Sequence, residues 1–170
     1  TDPFPYTGSA IISGSLAVTG SVGFTYNNIA PGVWSAGGAL SLPLYCAAGA
    51  GTQNAGLAFG GSTFTPSTPN TAGACTEEYG GTSWSAGGAL INARTSLAGA
   101  GTQNAGLAFG GQGYGTCTEE YNGTSWSAGG ALITARCGLA GAGTQNAGLA
   151  FGGETPYTVS CTEEYLSLIH

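Results

Sequence analysis

Three pairs of adjacent carboxylates carry most of the chemical potential of this chain. Glu77 and Glu78, Glu119 and Glu120, and Glu163 and Glu164 each stand inside the string Cys-Thr-Glu-Glu-Tyr, and only Asp2 and Glu154 complete the acidic set. Adjacent residues of a strand point to opposite faces, so one Glu of each pair turns inward and the other outward. That is not the arrangement of an acid–base pair. One carboxylate from every unit, ringed around a channel, would offer oxygen ligands to Ca²⁺, but no Asp-rich loop accompanies them. An inward carboxylate needs a partner, because burying a charge is costly unless it is paired and hydrogen-bonded. Arg94 and Arg136 are the chain's only Lys or Arg residues; they recur at one place in successive units, where the first unit has Leu44. The expected arrangement pairs each inner Glu with an arginine of a neighbouring unit.

Residue types exclude most other chemistry. The only His is His170, so neither a Ser-His-Asp nor a Cys-His constellation can be assembled. The glycine-rich strings lack the Lys-Ser/Thr of a phosphate loop and serve tight turns and packing. The five cysteines contain no C-x-x-C pair of the zinc-binding kind. Cys75, Cys117 and Cys161 each precede Thr-Glu-Glu-Tyr and are expected as equivalent small buried groups. Cys46 and Cys137 lie one residue out of register near the start of their units, and a disulfide involving either stays open. No catalytic residue, metal ligand or cofactor is expected.

The elements that must position these groups are set by repetition. The eleven-residue string GTQNAGLAFGG is identical at 51–61, 101–111 and 143–153, and Trp34, Trp84 and Trp126 mark the same unit at steps of 50 and 42 residues. In the middle copy, 94–101 alternates weakly up to a polar turn at 102–104. Ala105–Phe109 reads as a strand stopped by Gly110 and Gly111, and 112–116 as a loop. Residues 117–121 read as a third strand, and Asn122-Gly123 as a two-residue hairpin turn before Trp126. Four strands per unit follow, no segment has a helical apolar period, and the class is all-β. The units run from about 44 to 92, 94 to 134 and 136 to 165, with 33–40 as the strand that would complete the last.

Charged residues are 6% of the chain and the net charge is −6, which argues against nucleic acid or anionic lipid as partner. No apolar run approaches a membrane span and no basic leader precedes one. Residues 8–24 repeat Gly-Ser hexapeptides with apolar pairs Ala10 and Ile12, Leu16 and Val18, Val22 and Phe24. They read either as a β stalk, residues 1–32, that several copies wrap together, with a homotrimer as the expected form, or as a flexible linker.

The order Arg, apolar strand, Gly-Gly, Glu-Glu-Tyr, turn, Trp resembles the kelch repeat. The residues that carry the match are Gly60, Gly61, Tyr79 and Trp84, then Gly110, Gly111, Tyr121 and Trp126, then Gly152, Gly153 and Tyr165. The resemblance implies four-stranded blades of a β-propeller over 34–165; the interval from Tyr to Trp is shorter than is usual for kelch. Propellers close with four to eight blades, so two expectations stand for three units: a small ring closed by Trp34, or a truncated reading frame. The final residues, Leu166 to His170, resemble translated sequencing-adapter sequence and favour the second.

The near-verbatim repeats behind Gly-Ser hexapeptides also resemble tail-fibre and adhesin proteins of bacteriophages known from environmental sequence. That implies a non-enzymatic virion or extracellular protein recognising a host surface glycan or protein. The alternative is a secreted or cell-surface bacterial interaction scaffold. Tyr79, Tyr121, Tyr165 and the tryptophans read as inter-strand core rather than sugar platforms. The variable spacers 62–74, 112–116 and 154–160, with Phe64, Tyr114 and Tyr157, are the candidate ligand-binding loops.

Overall fold

The computed structural model describes residues 32–65, 68–113 and 115–167, with backbone alone at 64, 65 and 68–70. The hexapeptide stalk lies outside the described residues. The chain divides after Ser35 into an N-terminal unit, of which only 32–35 are described, and a compact unit from Ala36 onward. Trp34 is fully exposed and belongs to no strand.

Among the described residues the fold is all-β, without a helix. The first repeat contains β1 (Ala48–Thr52), β2 (Ala55–Phe59), β3 (Ser62–Thr65), β4 (Thr68–Ala72), β5 (Thr76–Tyr79) and β6 (Trp84–Ala86). The second contains β7 (Ala98–Thr102), β8 (Ala105–Phe109), β9 (Thr118–Tyr121) and β10 (Trp126–Ala128). The third contains β11 (Ala140–Gly143), β12 (Ala147–Phe151), β13 (Glu154–Thr155), β14 (Tyr157–Thr158) and β15 (Thr162–Leu166). The sheets are antiparallel, in the orders β1-β2-β5-β6, β7-β8-β9-β10 and β11-β12-β15. Among the described residues the third sheet has three strands, and residues 33–40, expected to complete it, form no strand.

Two further sequence expectations are corrected. The spacers at 62–74 and 154–160 hold hairpins of their own, β3 with β4 and β13 with β14, because their Ser, Thr and Tyr residues suit extended backbone. Asn122-Gly123 is not a two-residue turn. Tyr121 pairs with Trp126 across a four-residue loop, in which Asn122 Oδ1 accepts from the backbone N–H of Thr124 and Ser125 at 3.0 and 2.9 Å. An Asn side chain that satisfies the loop in this way removes the need for a tight primed turn.

Strand alternation makes each sheet two-faced. In the second sheet, Ala98, Ala100, Leu107 and Phe109 line one face, facing forward to the third sheet, while Gly99, Gly106, Ala108 and Tyr121 line the other. The forward face of each sheet packs on the glycine-rich back face of the next. A methyl at Gly99 would lie 2.5 Å from Cζ of Phe59 and 2.8 Å from the Gly49 carbonyl oxygen; at Gly141 the same distances, to Phe109 and Gly99, are 2.5 and 2.6 Å. These approaches require glycine. The double glycines that end the second strands are left-handed, with φ of 64° and 86° at Gly60 and Gly61, a region open to glycine at little cost.

Replacing Gly99 by Ala is therefore expected to cost about 1–3 kcal/mol by overpacking. The check is the urea unfolding midpoint; an unchanged midpoint would contradict the close approach of the first two sheets.

Candidate functional site

The carboxylates sit where one sheet passes to the next. After the last strand of a sheet the chain crosses through Gly-Gly-Ala-Leu to the first strand of the next; Gly87 and Leu90 donate to Thr76 O and Ala74 O at 2.9 and 2.8 Å, and the two amides after the leucine turn to a side chain instead. Glu119, fully buried, supplies one: it accepts from the backbone N–H of Ile91 at 2.7 Å and of Asn92 at 3.3 Å. Glu163 does the same for Ile133 at 2.6 Å and Thr134 at 3.2 Å. Glu77 accepts from Ser41 at 2.9 Å.

Arg94 lies 3.1 Å from Glu119 with both side chains fully buried, and Arg136 lies 3.1 Å from Glu163. The arginine–glutamate pairing expected from the sequence is present, with one correction. Each pair joins residues of the same repeat rather than neighbours, because the arginine opens the unit whose third strand carries its partner. Each guanidinium also caps carbonyls at the strand ends: Arg94 donates to Cys117 O at 3.0 Å, and Arg136 to Cys161 O at 2.8 Å and Gly152 O at 3.2 Å. The first repeat has no arginine here, and among the described residues the buried Oε1 of Glu77 finds no hydrogen-bond partner.

The second glutamate of each pair is used as well. Glu78 accepts from the Tyr121 hydroxyl at 2.6 Å, and Glu120 from that of Tyr165, so each outer carboxylate ties one sheet to the next. Burial first, then the bond to the carboxylate, pushes the Tyr121 and Tyr165 hydroxyls above the ordinary tyrosine pKa. Sequence reasoning missed a further tie. Gln103 Nε2 donates to Tyr79 O and Gly56 O at 2.8 and 3.1 Å, and Gln145 Nε2 to Tyr121 O and Gly106 O at 2.7 and 3.0 Å. Its signal was the invariance of Gln in all three strings, which a mere polar turn does not require.

Tyr121 and Trp126 are buried with ring centroids 4.9 Å apart, and Trp126 packs edge-on to Phe59 at 5.0 Å. Tyr79 and Trp84 repeat the first contact at 5.0 Å. Tyr121 and Trp126 lie in the core, Tyr79 and Trp84 are half-buried, and Trp34, expected in the core, is exposed. The cysteines depart from expectation: Cys75 and Cys161 are exposed, Cys117 half-buried, and all five are free thiols. Their strand-end position leaves them at the rim, where Cys161 Sγ lies 2.9 Å from Arg136 Nη1. Among the described residues no group of three His, Cys, Asp or Glu side chains converges as a metal site.

Of the candidate loop residues, Tyr157 is 81% exposed on β14. Tyr114 and the side chain of Phe64 lie outside the described residues. Between the second and third sheets is a cavity of about 70 Å³, lined by Phe109, Thr118, Ile133, Glu163 and Tyr165 among others. It is larger than the roughly 10–15 Å³ that one water needs. No protein-family model matches the chain, and no curated protein matches it.

Removing one partner of a buried ion pair strands the other, so Arg94→Leu is expected to cost about 3–5 kcal/mol in chemical unfolding. Leu44→Arg supplies a cation that Glu77 lacks among the described residues and is expected to stabilise by about 1.5–3 kcal/mol, by analogy with hydrogen bonds to charged groups. A lowered melting temperature for Leu44→Arg would contradict this equivalence.

Tyr121 and Tyr165 keep their protons above the pH at which an unfolded tyrosine loses its own. The unfolded chain then binds fewer protons, and stability falls as pH rises from the unfolded to the folded pKa. Ultraviolet titration is expected to show two late-ionising phenols in the native protein, one of them lost in Tyr121→Phe.

Proposed function

We propose that this chain is a non-enzymatic structural and binding protein, built of kelch-like blades of a β-propeller and acting as a virion fibre head or adhesin. Its partner is a host surface glycan or protein. The observation that carries the reading is how the reactive side chains are spent. The glutamates at 77–78 and 119–120, with Glu163, both arginines, Tyr121, Tyr165 and the clamping glutamines are bonded within and between sheets, at positions repeated from unit to unit. The sequence varies instead in the segments after the double glycines, and these hold different structures: a four- and five-residue hairpin in the first repeat, a short loop in the second and a two-residue hairpin pair in the third. A constant scaffold with variable loops is the division of labour of repeat-built binding proteins.

The strand order repeated through the first two sheets, with the first three of its positions repeated in the third among the described residues, supports the blade reading. A virion or extracellular setting rests on the resemblance of the repeats and their Gly-Ser hexapeptides to phage fibre proteins.

The test is binding of the labelled chain to a glycan array and to intact bacterial cells, with Tyr157→Ala alongside. The expected result is saturable binding that weakens at least about tenfold, roughly 1.4 kcal/mol, in the variant with its melting temperature unchanged. Saturable binding that Tyr157→Ala leaves intact would contradict recognition through the third loop.

A further inference from the structure

The same residues meet two different fates across the three repeats. Phe59 and Phe109, each covered by the next sheet, are 0% and 2% exposed, whereas Phe151 is 39% exposed. Gln103 and Gln145 clamp the preceding sheet, whereas Gln53 is exposed. Glu78 and Glu120 receive a tyrosine hydroxyl from the following sheet, whereas Glu164 is exposed. Among the described residues the third sheet thus presents an uncovered forward face and the first an uncovered back face, and these are the two halves of an interface the molecule already makes twice.

The cavity belongs to the same pattern. At the first interface Trp126, on the fourth strand of its sheet, packs on Phe59 and donates from Nε1 to Thr76 Oγ1 at 2.9 Å. At the second interface the equivalent residues, Phe109 and Thr118, line the cavity, and among the described residues no fourth strand pairs with β15. The space is the place of an indole. Trp34-Ser35-Ala36 has the sequence of β6 and β10, and Trp34 is fully exposed. The crossing segment that follows it is already seated: Gly37 lies against the Tyr79 hydroxyl as Gly87 lies against that of Tyr121, and Gly38 against Thr82 O as Gly88 against Thr124 O.

We propose that two copies of this chain associate head to tail, the Trp34–Ala36 segment of one adding as fourth strand to β15 of the other and placing its indole in the cavity on Phe109 and Thr118. In the same junction Phe151 covers Gly49 of the second copy, Glu164 accepts from its Tyr79 hydroxyl, and its Gln53 donates to the Gly148 and Tyr165 carbonyls. Every one of these contacts copies one already formed inside the chain. Strand addition at a free edge supplies ladder hydrogen bonds, and a buried aromatic anchor supplies the desolvated centre of an interface. Such an interface is heterologous, closing into a ring where the rotation permits and extending into a filament where it does not.

The test is sedimentation equilibrium of the full chain with two variants, Trp34→Ala and Phe151→Asp, the fold of each checked by its melting curve. The wild type is expected to sediment as a dimer or larger species with concentration-dependent mass, and each variant alone as a monomer. Mixed in equal amounts, the variants are expected to form a one-to-one dimer, because each retains the half that the other has lost. A wild-type monomer at every concentration overturns the proposal, including one in which Trp34 is shielded from a fluorescence quencher, as does a trimer that Trp34→Ala leaves intact.

Discussion

The arrangement depends on a carboxylate buried at each crossing between sheets. A sheet of three- to five-residue strands, rich in Gly and Ala, has little apolar area to give its neighbour. Past the leucine of each crossing two amides have turned away from the sheet the chain is leaving, and buried amides without acceptors cost about as much as a lost hydrogen bond. Glu119 and Glu163 meet this demand, each accepting two crossing amides. A charge so buried then requires its own partner, and the arginine that opens the repeat provides it. The scarcity of charged residues in the chain and the fixed places of those it has are two sides of one constraint.

Packing follows from the same economy. With glycines on the back of each first strand, neighbouring backbones approach until the phenylalanine ring of one sheet rests on the bare Cα of the next. Dispersion between closely packed atoms replaces the area that larger side chains would have buried. Glutamine and tyrosine add hydrogen bonds across each gap, so the sheets are fixed in register as well as in spacing. Where two sheets meet, glycine, glutamine, leucine and phenylalanine of the invariant string serve the contact between them.

Much of this was legible in the residues. Repetition exposed the unit, an apolar run stopped by two glycines exposed the strand Ala105–Phe109, composition exposed one at 117–121, seen as Thr118–Tyr121, and the recurrence of arginine and glutamate exposed the ion pair. What stayed hidden was three-dimensional. Spacing does not say whether Arg94 meets Glu119 or Glu77, because both separations fit a repeat. The glutamine clamp was hidden because a polar residue in a turn has an ordinary local explanation. The cavity beside Thr118 was hidden because it lies between two sheets whose approach no single repeat encodes. Cysteine burial was misjudged because a thiol's usual preference yields to a place at the strand end, on the rim.

Hydrogen exchange at the amides of Ile91 and Asn92 tests the central claim most directly. Both residues lie outside any strand, so local secondary structure gives them no protection. If the Glu119 carboxylate holds the crossing, these amides exchange only through opening of the whole stack, at the same free energy as the core strands β8 and β9. Exchange at the rate of an exposed loop, with the strands still protected, would show that the buried carboxylate does not hold the sheets together.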